Sequence, residues 1–183
     1  MRITGGKYRS RKVRCRPGVI RPAMDRMRES MFSILGDISG LAFLDLFAGS
    51  GVVGIEAASR GAEPVVLVEK DRRKATVIRK NISFVETKIS LRLQPAERVI
   101  AGGQARSTQR FDIIYLDPPF KYEKKIELVQ SVAESGLLEP TGLCMIHHPT
   151  PEQWPEKIAT LECIDTRGYG GSTLRFFRFT EPK

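Results

Sequence analysis

"FLDLFAGSGVVG", Phe43 to Gly54, carries an apolar run into the spacing Gly49-x-Gly51-x-x-Gly54. The pattern predicts a strand over 41–47, a glycine turn, and a helix over 51–60. That order makes the turn the first strand-to-helix connection of an open parallel sheet, where ligands lie beyond the carboxyl ends of the strands. A backbone without Cβ allows close approach to a ligand, which suits Gly49 and Gly51. The same spacing reads as a dinucleotide fingerprint, and a glycine turn can also serve strand–helix packing alone.

Asp45 weighs against the dinucleotide, because it ends the strand four residues before Gly49. A helix N-terminus alone welcomes a pyrophosphate, whereas a carboxylate beside it repels one. A cationic ligand fits better, and S-adenosylmethionine, with a sulfonium, an ammonium and no phosphate, is such a ligand. A second acid, Glu69, closes the next strand in "VVLVEKD". Acids about 20 residues beyond the loop accept hydrogen bonds from adenosine ribose hydroxyls. Alone, Glu69 could be a solvated strand end, and Asp71 reads as the cap of the following helix.

Downstream, strand and helix alternate. Strands are predicted over 64–68, 89–93, 111–116 and 142–147, and helices over 72–84, after Pro95, and over 124–135. Such alternation predicts parallel pairing with right-handed crossovers and helices on both faces. Two strand-like stretches around Gly168 to Gly171 close the chain as an antiparallel hairpin. Upstream, Met27, Met31, Ile34 and Leu35 share one helical face that Gly36 terminates. This stripe is read as core.

"FDIIYLDPPF", residues 111–120, sends an apolar strand into Asp117-Pro118-Pro119-Phe120. Successive prolines cannot continue a ladder, so the chain leaves the sheet at its carboxyl edge, the rim that carries Asp45 and Glu69. A plain proline turn with an aromatic lid is the bland alternative. The residue types also suit methylation of an exocyclic amine, whose lone pair is delocalised into a nucleobase ring. The Asp117 carboxylate and the Pro118 carbonyl can each accept one N–H, and Phe120 can stack on the base. Positioning then supplies most of the acceleration, with no nucleophilic side chain or metal required.

The formal charge of +9 belongs to residues 1–28, which hold ten basic side chains against Asp25; the rest of the chain balances. Such a block is a solvated tail or an electrostatic footprint for a polyanion. "RITGGKYRSRKVRCR" reads as a small hairpin or extended arm, although its composition also suits a segment ordered only by its ligand. Lys7, Arg9, Arg11, Lys12, Arg14 and Arg16 are the candidate RNA contacts, and Tyr8 either stacks on a base or covers the hairpin. Deletion of residues 1–16 is expected to end RNA methylation while the cofactor still binds. No run approaches the roughly 20 apolar residues of a membrane span, and the N-terminus lacks a secretory apolar stretch, so a cytoplasmic protein is expected. No obvious interface helix argues for anything beyond a monomer. Cys15, Cys144 and Cys163, with only His147 and His148 to help, suggest neither a disulfide framework nor a zinc site.

"RITGGKYRSRKV", "RPAMDRMRESMFSIL", "LDLFAGSGVVGIEAASRGA" and "DPPF" together resemble the RsmD family of bacterial ribosomal RNA methyltransferases over nearly the whole chain. The resemblance implies a class I methyltransferase, Rossmann-like α/β fold with a mostly parallel seven-stranded sheet, order 3-2-1-4-5-7-6, strand 7 antiparallel. It implies an RNA-binding hairpin at 1–20, a catalytic domain at 21–183, and methyl transfer from S-adenosylmethionine to a guanine N2 amine of 16S ribosomal RNA or a small-subunit assembly intermediate. The cofactor loop maps to Asp45, Phe47, Ala48, Gly49, Ser50 and Gly51, the ribose acid to Glu69, and the catalytic corner to Asp117, Pro118, Pro119 and Phe120. Arg26 or Arg28 would meet the cofactor carboxylate or make a structural ion pair. Two positions depart from the pattern: Ala23 replaces a common threonine, and Pro95 replaces the polar residue that faces adenine, which passes that contact to Ala96 or Gln94. Competing readings are a DNA adenine-N6 methyltransferase, for which 183 residues leave little room for target recognition, and a non-catalytic RNA-binding assembly factor. A nicotinamide dehydrogenase is disfavoured by Asp45.

Overall fold

The computed structural model describes residues 1–15, 22–106 and 109–180, with side chains at 1–15, 25–103 and 109–180. Two compact units divide the chain, Met1–Gln94 and Pro95–Lys183.

In the first unit, β1 (Phe43–Asp45), β2 (Val65–Val68) and β3 (Ile89–Arg92) pair in parallel in the order β3-β2-β1. β1 and β2 are buried throughout, as strands covered on both faces must be. β1 is shorter than the apolar run predicts. Asp45 Oδ1 accepts the Phe47 N–H at 3.2 Å, and this side-chain turn takes the chain out of the ladder. Helices α1 (Pro22–Leu35), α2 (Val52–Ser59) and α3 (Ala75–Ile82) complete the unit. A 3-10 turn over Arg72–Lys74 precedes α3, and Asp71 caps it through the Arg73 N–H, as expected. On α1 the buried face is Met27, Arg28, Met31 and Phe32. Ile34, expected in the core, is 39% exposed, because the face that packs is centred one residue pair earlier.

Every residue of α2 is buried, including Glu56 and Ser59. A helix covered on all sides needs a second layer besides the sheet. The basic N-terminal ribbon provides it. Arg2 bridges Lys12 in antiparallel fashion, and Ile3, Tyr8 and Val13 turn inward. Ser59 Oγ donates to the Gly5 carbonyl and accepts the Tyr8 N–H, while the Ser59 carbonyl accepts the Lys7 N–H. Gly6 has φ +74, and a Cβ there would lie 1.9 Å from the Ser59 carbonyl oxygen, so this contact requires glycine. Tyr8 is packed edge-on against Phe84 and its hydroxyl accepts the Glu86 N–H. It covers the hairpin and is not presented for base stacking.

In the second unit, β4 (Phe111–Leu116) pairs in parallel with β5 (Leu138–Pro149), followed by antiparallel β8 (Ser172–Phe179), β7 (Leu161–Tyr169) and β6 (Lys157–Ile158). Helices α4 (Ala96–Arg106) and α5 (Lys125–Glu134) pack with it. The antiparallel closing hairpin is as expected, with the final strand lying between its two neighbours. Two features differ from expectation. β5 begins at Leu138, where the ladder slips between Phe111↔Leu138 and Ile113↔Leu143. Pro140 and Gly142 lie in that slip, and a bulge accommodates both residues inside one strand. β6 adds an eighth strand, two residues long and too short to show alternation.

Candidate active site

The glycine loop in the first unit separates into two physical roles. Ala48 N–H bonds the Val68 carbonyl and Gly51 N–H bonds the Ala48 carbonyl, which folds the chain back sharply between β1 and α2. Gly49 and Gly51 have φ of 58° and 82°, in the left-handed region. A Cβ on Gly54 would lie 2.2 Å from Leu67 Cδ2, so this third glycine serves helix–strand packing. A Cβ on Gly49 would meet only the Phe47 carbonyl, at 3.9 Å. Gly49 therefore has an open side, and Gly54 a closed one.

Two buried carboxylates flank this loop. Asp45 is 1% exposed and Glu69 is 6% exposed. Glu69 Oε2 accepts the Gly49 N–H at 3.0 Å and the Lys74 ammonium at 2.9 Å, and Oε1 accepts the Asp71 N–H. The acid that closes β2 thus holds the loop's first glycine. Asn81, absent from the sequence-based candidates, donates to the Ser50 carbonyl and exchanges hydrogen bonds with the Arg14 backbone. One side chain anchors both the loop and the basic ribbon. Phe47 and Ser50 are partly exposed and Ala48 is buried.

Arg28 resolves to the structural alternative. It is 1% exposed, its Nε donates to Glu56 at 2.6 Å, and its Nη2 reaches the Arg2 carbonyl and Asp25. Thr4 and Arg60 also bond Glu56. A buried carboxylate needs such a full shell, because one left unpaired costs several kcal/mol (about 3–5). Arg26 is exposed. Of the candidate RNA contacts, Lys7, Arg9, Arg11, Lys12 and Arg14 are exposed, and Arg16 lies outside the described residues. Lys7 pairs with Glu86 at 2.6 Å, and Arg11 lies 5.0 Å over the Phe84 ring.

In the second unit, Asp117 follows the last residue of β4 and retains 24% side-chain exposure, while Pro118 is buried and Phe120 is 43% exposed. The Pro119 carbonyl accepts the Tyr122 N–H at 2.7 Å, which turns the chain after the prolines. Lys125, on the first turn of α5, is buried. Its ammonium donates to the Phe120 carbonyl at 2.8 Å, the Tyr122 carbonyl at 2.6 Å and Glu152 Oε1 at 2.6 Å. The Tyr122 hydroxyl donates to Glu97 on α4 at 2.7 Å. Phe120, Tyr122, Lys125 and Trp154 line a cleft of ≈ 630 Å³. Lys125→Met should lower stability by about 2 kcal/mol, because it leaves the Phe120 and Tyr122 carbonyls without their donor, while part-exposed Glu152 can turn to solvent. Denaturant titration checks this, and a loss below about 1 kcal/mol would show that the clamp does little for stability.

Asp117 Oδ1 lies 2.9 Å from His147 Nδ1 on β5. Leu116 pairs with Ile146, so the parallel register brings the next residue of each strand together. The sequence alone offers His147 only as a metal ligand, beside His148. The usable signal was a histidine at the end of the strand that pairs with the Asp-Pro-Pro strand. Its neighbour His148 is stacked on Trp154 at 4.6 Å, and burial pushes its imidazole below the ordinary histidine value. Ala96 opens α4 and is buried, and Pro95 caps that helix by accepting the Arg98 N–H.

A family model described as "Conserved hypothetical protein 95" matches residues 1–178. The chain is 33% identical over 175 residues to Ribosomal RNA small subunit methyltransferase D of Escherichia coli K12, covering 87% of this chain and 85% of that protein. It is 30% identical over 167 residues to the protein of that name from Haemophilus influenzae, covering 84% of each. Among solved structures, yhhF of Escherichia coli superposes with a TM-score of 0.86 at 28% identity, over 100% of this chain and 99% of that one. The fold agrees with this kinship, and the chain belongs to the RsmD family of methyltransferases.

Proposed function

We propose that the protein transfers the methyl group of S-adenosylmethionine to the N2 amine of a guanine in small-subunit ribosomal RNA, as naked RNA or as an assembly intermediate. The observation that carries this reading is the Asp117 corner: a part-exposed carboxylate, a rigid proline carbonyl and an exposed aromatic ring, on one turn. These groups accept hydrogen bonds and stack, which is what an unreactive exocyclic amine needs. The relatives' names support ribosomal RNA as the substrate class.

The residues of the glycine loop fit the donor. Buried Asp45 favours a cationic ligand, Glu69, whose charge Lys74 already meets, can accept from hydroxyls, and the open side of Gly49 allows close approach. Asp45, Phe47, Ala48, Gly49, Ser50, Gly51 and Glu69 would hold it, with Ala96 assigned to adenine. When bound, S-adenosylmethionine supplies a methyl group made electrophilic by its sulfonium. Asp117 accepts one amine N–H and the Pro118 carbonyl the other, which localises the nitrogen lone pair. Phe120 stacks on the base and fixes its plane, worth roughly 1–3 kcal/mol. The anionic Asp117 also stabilises positive charge developing on the nitrogen. The ribbon from Lys7 to Arg16 neutralises phosphates and adds affinity without sequence information.

Labelled methyl transfer to small-subunit RNA, to subunit particles and to adenine-containing DNA, followed by mass mapping of the modified base, tests the reading. Label is expected on guanine N2 in RNA. Label on DNA adenine, or none on any substrate with S-adenosylmethionine bound, would overturn it.

A further inference from the structure

We infer that His147 is a positioning residue for the Asp117 corner: one imidazole holds the carboxylate by one oxygen and braces the Phe120 ring. The inference rests on the reading of Asp117 given above and deepens it.

Three observations carry it. His147 is 5% exposed, its Nδ1 lies 2.9 Å from Asp117 Oδ1, and its ring meets Phe120 edge-on at 5.6 Å between centroids. An ionised carboxylate can only accept, so Nδ1 carries the hydrogen of this bond. The other nitrogen, Nε2, is buried with no hydrogen-bond partner among the described residues. The Asp117 bond is therefore the hydrogen bond that sets the plane of the ring.

The orphan nitrogen argues against a packing role. Burying a polar atom without a partner is unfavourable, and a phenylalanine or leucine would fill the same volume on β5 without that cost. Histidine is useful here because of what Nδ1 holds. A carboxylate at the end of a strand, part exposed and followed by two prolines, can otherwise rotate about its Cβ–Cγ bond. With Oδ1 engaged by His147, Oδ2 is the oxygen left to accept the amine N–H. The contact with Phe120 couples that orientation to the ring proposed to stack on the same base. Acceptor and stacking platform are then ordered before substrate arrives, which is the condition for positioning to accelerate the reaction.

Two variants of the full chain test this with labelled S-adenosylmethionine and small-subunit RNA. His147→Phe keeps the ring and removes the donor; His147→Asn keeps a short donor near the place of Nδ1. His147→Phe is expected to lower kcat about tenfold, with the KM for RNA and the Kd for S-adenosylmethionine within about twofold of the parent. His147→Asn is expected to recover most of that loss. An unchanged kcat in the phenylalanine variant, or an asparagine variant as slow as the phenylalanine one, would overturn the role. Nitrogen-15 NMR of the parent chain needs no variant: hydrogen on Nδ1 is expected, and hydrogen on Nε2 alone would also overturn it. Asp117→Ala run beside them separates the failures. If that change abolishes turnover while His147→Phe is silent, only the histidine's role falls; if it leaves turnover intact, the reading of the corner falls and takes His147 with it.

Discussion

Asp117→Ala is expected to reduce kcat on the order of a thousandfold while S-adenosylmethionine binds with unchanged affinity. The size follows from what is removed. Loss of one preorganised polar group aimed at developing charge costs about 10²–10³ in kcat in comparable sites, and in the proposed reading Asp117 also positions the amine. The effect is confined to turnover because the residues assigned to the donor are elsewhere: Asp45 and Glu69 close other strands, and Glu69 makes its own bonds to Gly49, Asp71 and Lys74. Folding should be little affected, since the carboxylate is part exposed and its bond to His147 ties down one oxygen only. Single-turnover kinetics with saturating cofactor, together with calorimetric binding of S-adenosylmethionine, checks both halves. A variant within about fivefold of the parent rate would remove Asp117 from catalysis. A variant that loses the cofactor as well would mean that the corner supports the donor rather than the amine.

The sequence makes this site legible to the extent that its residues follow from local rules. Asp45, Glu69 and Asp117 are recognisable because each stands at the end of an apolar strand, where open α/β sheets take their ligands. Gly49 and Gly54 share one motif, but only packing separates them: Leu67 lies against Gly54 and open space lies beside Gly49. His147 was hidden for a different reason. Its partner is 30 residues away, and the pairing depends on the parallel register of β4 with β5, across a slip caused where Pro140 and Gly142 interrupt the ladder. Neither periodicity nor composition encodes a register. Lys125 was hidden by the usual expectation that lysine is exposed; two backbone carbonyls and Glu152 make its burial tolerable. Arg28 is ambiguous between cofactor and ion pair because the small, apolar composition of VVGIEAAS points to an enclosed helix but not to which cation meets its one acid, Glu56.

That enclosure changes how the RNA-binding role of the N-terminal ribbon has to be tested. Deleting residues 1–16 would strip Ile3, Tyr8 and Val13 from the core and leave Glu56 without Thr4, so loss of activity would report unfolding as readily as a failure to bind RNA. Substitution of the outward side chains avoids this. Arg9, Arg11, Lys12 and Arg14 are exposed, and the bonds that tie Arg14 to Asn81 use its backbone. Replacing these four by glutamine should cost little stability. Most of that cost should come from the stacking of Arg11 on Phe84, about 0.5–1 kcal/mol for an exposed pair of this kind. RNA affinity should fall on the order of a hundredfold near 0.1 M salt, and the slope of log affinity against log salt should flatten by about 0.7–0.9 for each phosphate no longer neutralised. Both changes should be the same for RNAs of different sequence, because phosphate contacts position the protein without reading bases. S-adenosylmethionine affinity should not move. An unchanged salt slope would show that the ribbon's charge faces solvent and that its function is to roof α2. A drop in affinity for one RNA sequence only would instead assign base reading to these side chains.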